Sequence, residues 1–396
     1  MVSDSAEVEK SFRFLLYSRA LRSIGIIYMT ITMPLYLAAM GLSVVSIGFV
    51  VAGVMLFMIV ETLLLGALGD RAGYKYSLLI SEIIPAFGAL VIFFSQDIAI
   101  IIAAVIVAGI GGAAGGMRGG FSPGSTAIVA SNYPDEHKRV RKLGQITSVA
   151  SFFSVFGAAL VSAHFYLSSD LGALAAYRAG FLVSSLLLFF SFICLLFIKE
   201  EKRPRKSTRI MKRSSFRYIL KVIAANSLGG IGLGLAIPLL PLWLELAYKA
   251  TTLEIGIIFG ISYLITALGA YYASYMHGKF DPLSIASATR VLGGALLIAM
   301  ALSPFLALVA VVYLLRAFFA GLGNPTRNAV NMRGIDREDY GTATSFQGVS
   351  TRVSQLSSGA SGYLMEYSLP APLFLGGAFQ IVSGVMYRYL IGRKNQ

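Results

Sequence analysis

Twelve apolar runs, each near the length of one bilayer crossing and separated by short connections that hold most of the charge, constrain this chain more than any other feature. They lie near 18–40, 45–68, 77–95, 98–118, 143–166, 174–198, 218–244, 253–276, 284–303, 305–323, 342–366 and 371–391. A hydrocarbon core of roughly 30 Å is crossed by about twenty helical residues rising 1.5 Å each. None of the runs alternates polar and apolar residues as a strand of a membrane barrel would. Only 13% of residues are charged, against roughly 25% in soluble domains, too few to cover a water-facing surface. The expected class is an all-α, multi-pass membrane protein.

The formal charge of +14 could indicate nucleic acid, but its placement excludes that reading. An even number of spans puts both termini on one side. Assigning that side to the cytoplasm places in the inner connections Arg71 and Lys75, then Lys138, Arg139, Arg141 and Lys142, and the run KEEKRPRKSTRIMKR at 199–213. Arg327, Arg333, Arg337, Arg393 and Lys394 follow, while the outer connections hold little beyond Arg178 and Lys249. This is the positive-inside pattern, and it predicts a cell-membrane protein with both termini cytoplasmic. The polar opening MVSDSAEVEK has no apolar signal core. The organisation expected is a cytoplasmic segment 1–17, a six-helix bundle 18–198, a basic linker 199–217, a second bundle 218–391 and a tail 392–396. The linker reads as flexible, with basic residues able to meet anionic lipid.

The halves echo each other. SIGIIYMTITMPLYL from Ser23 parallels GIGLGLAIPLLPLWL from Gly230, aligning Pro34-Leu35-Tyr36-Leu37 with Pro241-Leu242-Trp243-Leu244. Ile47-Gly48 then matches Ile255-Gly256 at the start of the next span. GGFSPGSTAIV from Gly119 matches GLGNPTRNAV from Gly321, and new spans open with GQITS at Gly144 and GTATS at Gly341. Three echoes in the same order argue for a duplicated six-helix unit, as in transporters built from repeats.

Between the second and third spans lies Gly66-Ala67-Leu68-Gly69-Asp70-Arg71-Ala72-Gly73-Tyr74-Lys75. It resembles the signature loop of the major facilitator superfamily and falls where that family carries it. Span number, central basic loop and half-repeat extend the resemblance over essentially the whole chain. The resemblance implies the superfamily fold: twelve helices in two pseudo-symmetric bundles that rock to expose a central cavity alternately to each side. It also implies a conformational latch of Gly66, Asp70, Arg71, Gly73 and Lys75, with Asp70 accepting from the start of the eleventh span at Gly341-Thr342-Ala343-Thr344. The glycines permit a tight turn, and an anion suits free N–H groups at a helix start. A loop that only sets topology is the plainer alternative. Tyr74 replaces the family's usual arginine, and the matching loop SYMHGKFDP from Ser274 keeps little of the signature. Arg316-Ala-Phe-Phe-Ala-Gly321-Leu-Gly323 in the tenth span resembles an arginine–glycine pattern the family often carries in the fourth. The fifth span, SVASFFSVFGAALVS, has Gly157 but not the Gly-Pro pair common in drug antiporters.

Ionisable groups inside spans are costly and mark function. The acids are Glu61 and Glu82; the bases are Arg19, Arg22, Arg118, Arg290, Arg316 and Arg352, with His164 near a span end. Arg352, about 15 Å into its span, is flanked by Thr351, Ser354, Gln355, Ser357 and Ser358. In the resembled fold Glu61 reaches similar depth across the halves, so the two are expected to pair in one conformation. Protonation or an anionic substrate would break the pair; a permanent structural bridge is the alternative. Arg316, Arg118, Gln355, Tyr28 and Tyr263 are further cavity candidates, although Arg118 near a span end also fits charge asymmetry alone. Arg19 and Arg22 read as interface anchors, with Glu82 in reach of Arg22. Tyr271, Tyr272 and Tyr275 read as belt residues as readily as ligand contacts, and Trp243 most simply as a belt residue.

The lone Cys194 excludes an internal disulfide. GIGGAAGG from Gly109 lacks the ending of a phosphate loop, and three scattered histidines make no metal constellation. No metal, cofactor or catalytic site is expected. The expected function is secondary active transport of a small organic solute, leaning anionic, by a monomer in the lipid bilayer, coupled to protons. Efflux of hydrophobic or cationic drugs is the alternative, and a non-transporting membrane sensor is the alternative of another class.

Overall fold

A computed structural model of the chain describes residues 2–111, 121–133, 135–200, 212–276, 280–335 and 340–392. The first half contains α1 (Val2–Ala39), α2 (Val44–Ala72), α3 (Tyr74–Phe94), α4 (Ile98–Val107), α5 (Phe121–Asn132), α6 (Glu136–Leu171) and α7 (Ala173–Leu196). The second contains α8 (Arg213–Ala236), α9 (Leu240–Tyr248), α10 (Thr252–Met276), α11 (Pro282–Ala301), α12 (Leu306–Met332), α13 (Tyr340–Gln355), α14 (Ser358–Tyr367) and α15 (Ala371–Gly392).

Among the described residues, ten helices are long and apolar enough to cross a membrane. The fourth expected span is helical only over α4 among its described residues, and the eleventh is built from two shorter pieces, α13 with α14. The end of α4 has a local cause. Gly109 and Gly111 adopt φ of 65° and 103°, a left-handed backbone open to glycine at little cost, so α4 stops at Val107 rather than running to 118. The seventh span also breaks, between Ala236 and Leu240, where Pro238 and Pro241 cannot supply N–H groups to a continuous helix.

The chain divides into two compact units. One comprises 1–42, 56–206 and 251–260; the other comprises 43–55, 207–250 and 261–396. Each unit thus takes in a short segment from the other half of the sequence, and the matched Ile-Gly pairs explain how. In the first unit a Cβ on Gly256 would lie 2.2 Å from Ser162 Oγ and 2.7 Å from the Ala158 carbonyl. In the second a Cβ on Gly48 would lie 3.0 Å from Gly362 Cα. Both glycines are where one backbone presses on another, the packing that small residues allow between membrane helices. The Ser162 hydroxyl donates to the Leu253 carbonyl at 3.2 Å, securing the first crossing.

The second unit carries the only tryptophan. Trp243 on α9 is 2% exposed and meets Tyr248 edge-on at 5.3 Å. Its expected place in an interfacial belt gives way to burial in the protein. Tyr271, Tyr272 and Tyr275, by contrast, are 73%, 50% and 66% exposed, as belt residues are.

Candidate functional site

Each unit holds a buried polar junction of three helices, and the two junctions are the same construction with different charges. In the first unit Arg22 of α1 pairs with Glu82 of α3 at 2% and 0% exposure. The Ser191 hydroxyl of α7 contacts Glu82 Oε1 at 2.6 Å and the Ser18 carbonyl at 3.0 Å. Arg22 also donates to the Ser81 carbonyl at 3.2 Å. Phe121 of α5 lies beneath both arginines, 4.6 Å from the Arg22 guanidinium carbon and 5.7 Å from that of Arg19. Arg19 and Arg22 are therefore buried groups and not the interface anchors expected, while the contact of Arg22 with Glu82 is present.

In the second unit Arg290 of α11 occupies the place of Glu82: each stands eight residues after the first residue of its helix, Pro282 and Tyr74. Ser383 of α15 replaces Ser191, and its hydroxyl reaches the Ala225 carbonyl at 2.6 Å. Ala225 lies 207 positions after Ser18, the same interval as Pro241 after Pro34. Arg290 donates to Asn226 Oδ1 at 2.7 Å and Ser383 Oγ at 2.8 Å, with its guanidinium carbon 5.0 Å from the Tyr387 ring centroid. The first junction carries an acid against its arginines; the second holds a cation with neutral acceptors. Glu82 entered the sequence reading as a group in reach of Arg22 and Arg290 as an isolated ion, and only the shared position in the repeat relates them.

The loop after α2 holds a feature that the sequence reading missed. Gly73 adopts φ of 112° and precedes α3. The next two amides, of Tyr74 and Lys75, donate to the Glu200 carboxylate at 3.0 and 2.9 Å. Lys75 Nζ donates to the Leu196 carbonyl at 2.6 Å. An anion on free N–H groups at a helix start is favourable, so Glu200 fastens the exit of α7 to the entrance of α3. Its neighbour Lys199 pairs with Glu7 and exchanges hydrogen bonds with Ser11. The first residues of the expected linker are thus tied into the first unit. Their signal was a Glu-Glu pair opening an otherwise basic run. Gly66 lies within α2, Arg71 is exposed and a Cβ on Gly69 would meet the Tyr74 ring at 2.5 Å. The Asp70 side chain and the side chains of Thr342 and Thr344 lie outside the described set.

The other expected site residues stand on helices of both units. Glu61 is 9% exposed in the first unit, and Arg352 is half-buried in the second. Tyr28 is packed into a wall, its hydroxyl donating to the Tyr177 carbonyl at 3.2 Å and its ring 5.8 Å from Phe181. Tyr263 is half-buried on α10. His164 stacks on Tyr177 at 3.7 Å, and its ring nitrogens meet Thr252 Oγ1 at 3.0 Å and the Ala173 carbonyl at 3.1 Å. Arg118 lies outside the described residues.

Gln355 closes α13, and the polar run around it has a packing role. The Ser357 and Ser361 hydroxyls donate to the Ile231 and Leu235 carbonyls of α8 at 2.9 and 2.6 Å. Cβ atoms on Gly230 and Gly234 would lie 2.6 Å from Ser354 Cβ and 2.3 Å from Ser357 Oγ. Small polar side chains thus bridge the break between α13 and α14 onto a glycine groove.

Arg316 takes no part in these contacts. It stands about 15 Å along α12, half-buried, with a fully buried Nε that has no hydrogen-bond partner among the described residues.

The family model described as Major Facilitator Superfamily matches residues 15–358 and 222–395. The chain belongs to the major facilitator superfamily, a family of multi-pass membrane transporters. No curated protein matches the sequence. Among solved structures, an auto-inhibited peptide transporter of the POT family is similar at TM-score 0.79 and 12% identity, over 98% of this chain and 97% of that one. A D-xylose–proton symporter is similar at TM-score 0.71 and 16% identity, over 95% and 96%. The human organic anion transporter MFSD10 (TETRAN) is similar at TM-score 0.65 and 15% identity, over 96% and 99%. At these identities the likeness is one of fold.

Proposed function

We propose that the chain is a secondary active transporter that moves a small organic anion across the cytoplasmic membrane by alternating access, coupled to protons. Both termini are cytoplasmic in this reading, in keeping with the basic inner connections. The observation that carries the anionic substrate is the charge of the second unit. Its helices place Arg290, Arg316 and Arg327 away from their ends, and Arg352, in the last turn of α13, lies inside the expected eleventh span, whereas Glu245, Glu254 and Glu366 stand near helix ends. Cations at membrane depth call for a counter-charge, and a substrate carboxylate supplies one.

Proton coupling in this proposal runs through Glu61. An ionised Glu61 pairs with Arg352 in one state of the cycle; a proton on Glu61 and a carboxylate on Arg352 each release that pair, so both ligands bias the same equilibrium. Asp70 and the start of α13 form the latch that holds one state.

Counterflow in proteoliposomes tests the reading. Carboxylates are exchanged by the wild type, and an imposed proton gradient drives their accumulation. Glu61→Gln keeps exchange and loses gradient-driven accumulation. Full proton-driven uptake by Glu61→Gln removes Glu61 from the scheme. Flux of hydrophobic cations in place of anions identifies an efflux protein, and binding without flux a sensor.

A further inference from the structure

The face of α12 that holds Arg316 holds a second arginine. Eleven residues separate Arg316 from Arg327, which at 100° per residue returns the chain to within about 20° of the same direction. Val311 and Leu315, 63% and 47% exposed, point roughly 100–140° away on the same wheel. The apolar exposed face and the arginine face are therefore different faces of one helix. Between the arginines that stripe carries only Ala320 and Gly323, so the side chains of α12 leave a shallow trough there, which Thr289 of α11 narrows at Gly323.

Arg327 lies in this trough. Its Nη1 is 2.5 Å from where a Cβ on Gly323 would be, and the Thr289 hydroxyl of α11 is 2.4 Å from the same point. Its Nη2 donates to Asn324 Oδ1. The guanidinium thus lies one turn deeper than its own Cα and away from the nearer helix end at Met332, the opposite of a snorkelling side chain. Among the described residues, neither Arg316 nor Arg327 meets a carboxylate. Arg290, close by on α11, shows how this unit treats a structural arginine: Asn226, Ser383 and the Ala225 carbonyl accept from it. The buried Nε of Arg316 has no hydrogen-bond partner among the described residues.

We propose that Arg316 and Arg327 are two stations of a carboxylate path along α12. Arg316 holds the anion near the middle of the membrane, and Arg327 receives it one step nearer the end at Met332. The levels of Arg316 and Gly323 differ by about 10 Å, too far for one small carboxylate to touch both cations at once. The anion is handed over, not bridged. A guanidinium offers two parallel N–H donors to a carboxylate, and between the stations α12 itself presents only Ala320 and Gly323. The proposal rests on the anion-transporter reading above and names the residues that carry its substrate.

Phenylglyoxal, which modifies accessible arginines, tests it on the full-length purified protein, with site occupancy read by mass spectrometry. The expected result is labelling of Arg316 and Arg327 and none of Arg290. Acetate, benzoate or succinate at millimolar concentration protects both labelled sites. Arg316→Gln weakens carboxylate binding by about tenfold or more, the loss expected when a charged donor is removed from an anion, while Arg316→Lys retains part of it. Arg327→Gln leaves equilibrium binding within about threefold, which is under 1 kcal/mol, and slows carboxylate counterflow. Size-exclusion profiles confirm that each variant is folded. An unreactive Arg316, or labelling that no carboxylate in the panel reduces, overturns the proposal. Protection by inorganic phosphate alone overturns the assignment to carboxylates. If carboxylate flux persists unchanged in Arg316→Gln, the two-station path fails and the transporter reading survives. If no solute is exchanged by the wild type, the transporter reading itself fails.

Discussion

Glu82 is the residue on which the first junction turns. Removing one partner from a buried ion pair leaves the other charge without compensation and costs about 3–5 kcal/mol, whereas removing both together costs far less. Glu82→Gln and Arg22→Gln are each expected to lower the thermal unfolding midpoint in detergent, with the double variant more stable than the sum of the singles predicts. Additive losses would show that the contact contributes nothing of its own. Glu200 works on a smaller scale. A charge at a helix start contributes roughly 0.3–1 kcal/mol, so Glu200→Gln leaves the midpoint nearly unchanged. Faster hydrogen exchange at the Tyr74 and Lys75 amides is the expected signal, and unchanged exchange would disprove the clamp. The pairing of Arg22 with Glu82 was legible because two opposite charges in apolar runs need each other. Glu200 was not, because its partners stand 125 and 126 positions away in the sequence and a Glu in a charged run looks solvated.

At the scale of the helix, the sequence displayed the spans and concealed their breaks. Hydropathy cannot distinguish an apolar helix that runs on from one that stops before Gly109 and Gly111, since the stop lies in backbone angles and not in polarity. The serine-rich stretch after Arg352 misled in the other direction. Polar residues at membrane depth read as a cavity lining, yet Ser354, Ser357 and Ser361 face the glycines and carbonyls of α8. The two devices there differ in energetic weight. A side-chain hydrogen bond between membrane helices contributes about 0.6 kcal/mol on average, so Ser361→Ala is a mild change. Forcing a larger side chain into a close backbone crossing costs about 1–3 kcal/mol or more, so Gly234→Val is expected to lower the unfolding midpoint several times further. Equal effects would mean that the groove is looser than its 2.3 Å approach indicates.

Across the whole molecule, the duplication was legible from three short echoes, and the structure gives one of them a physical purpose. Gly48 and Gly256 recur because each permits a backbone crossing within its unit. The junctions built on Glu82 and Arg290 could not have been matched from sequence, since an acid and a base share no residue type. What persists is the position, with a serine hydroxyl on an α1 or α8 carbonyl. This asymmetry is testable by exchange. Arg290→Glu with Asn226→Arg rebuilds the first unit's charge pattern in the second, and should fold better than Arg290→Glu alone. If the double variant is no better, the two junctions are only superficially alike.

The single indole at position 243 has a practical consequence. Its emission originates wholly within one of the two compact bodies, so native fluorescence watches that body melt and is nearly blind to the other. A far-ultraviolet dichroism curve that departs from the fluorescence curve on heating would reveal two bodies unfolding in succession, without any engineered label.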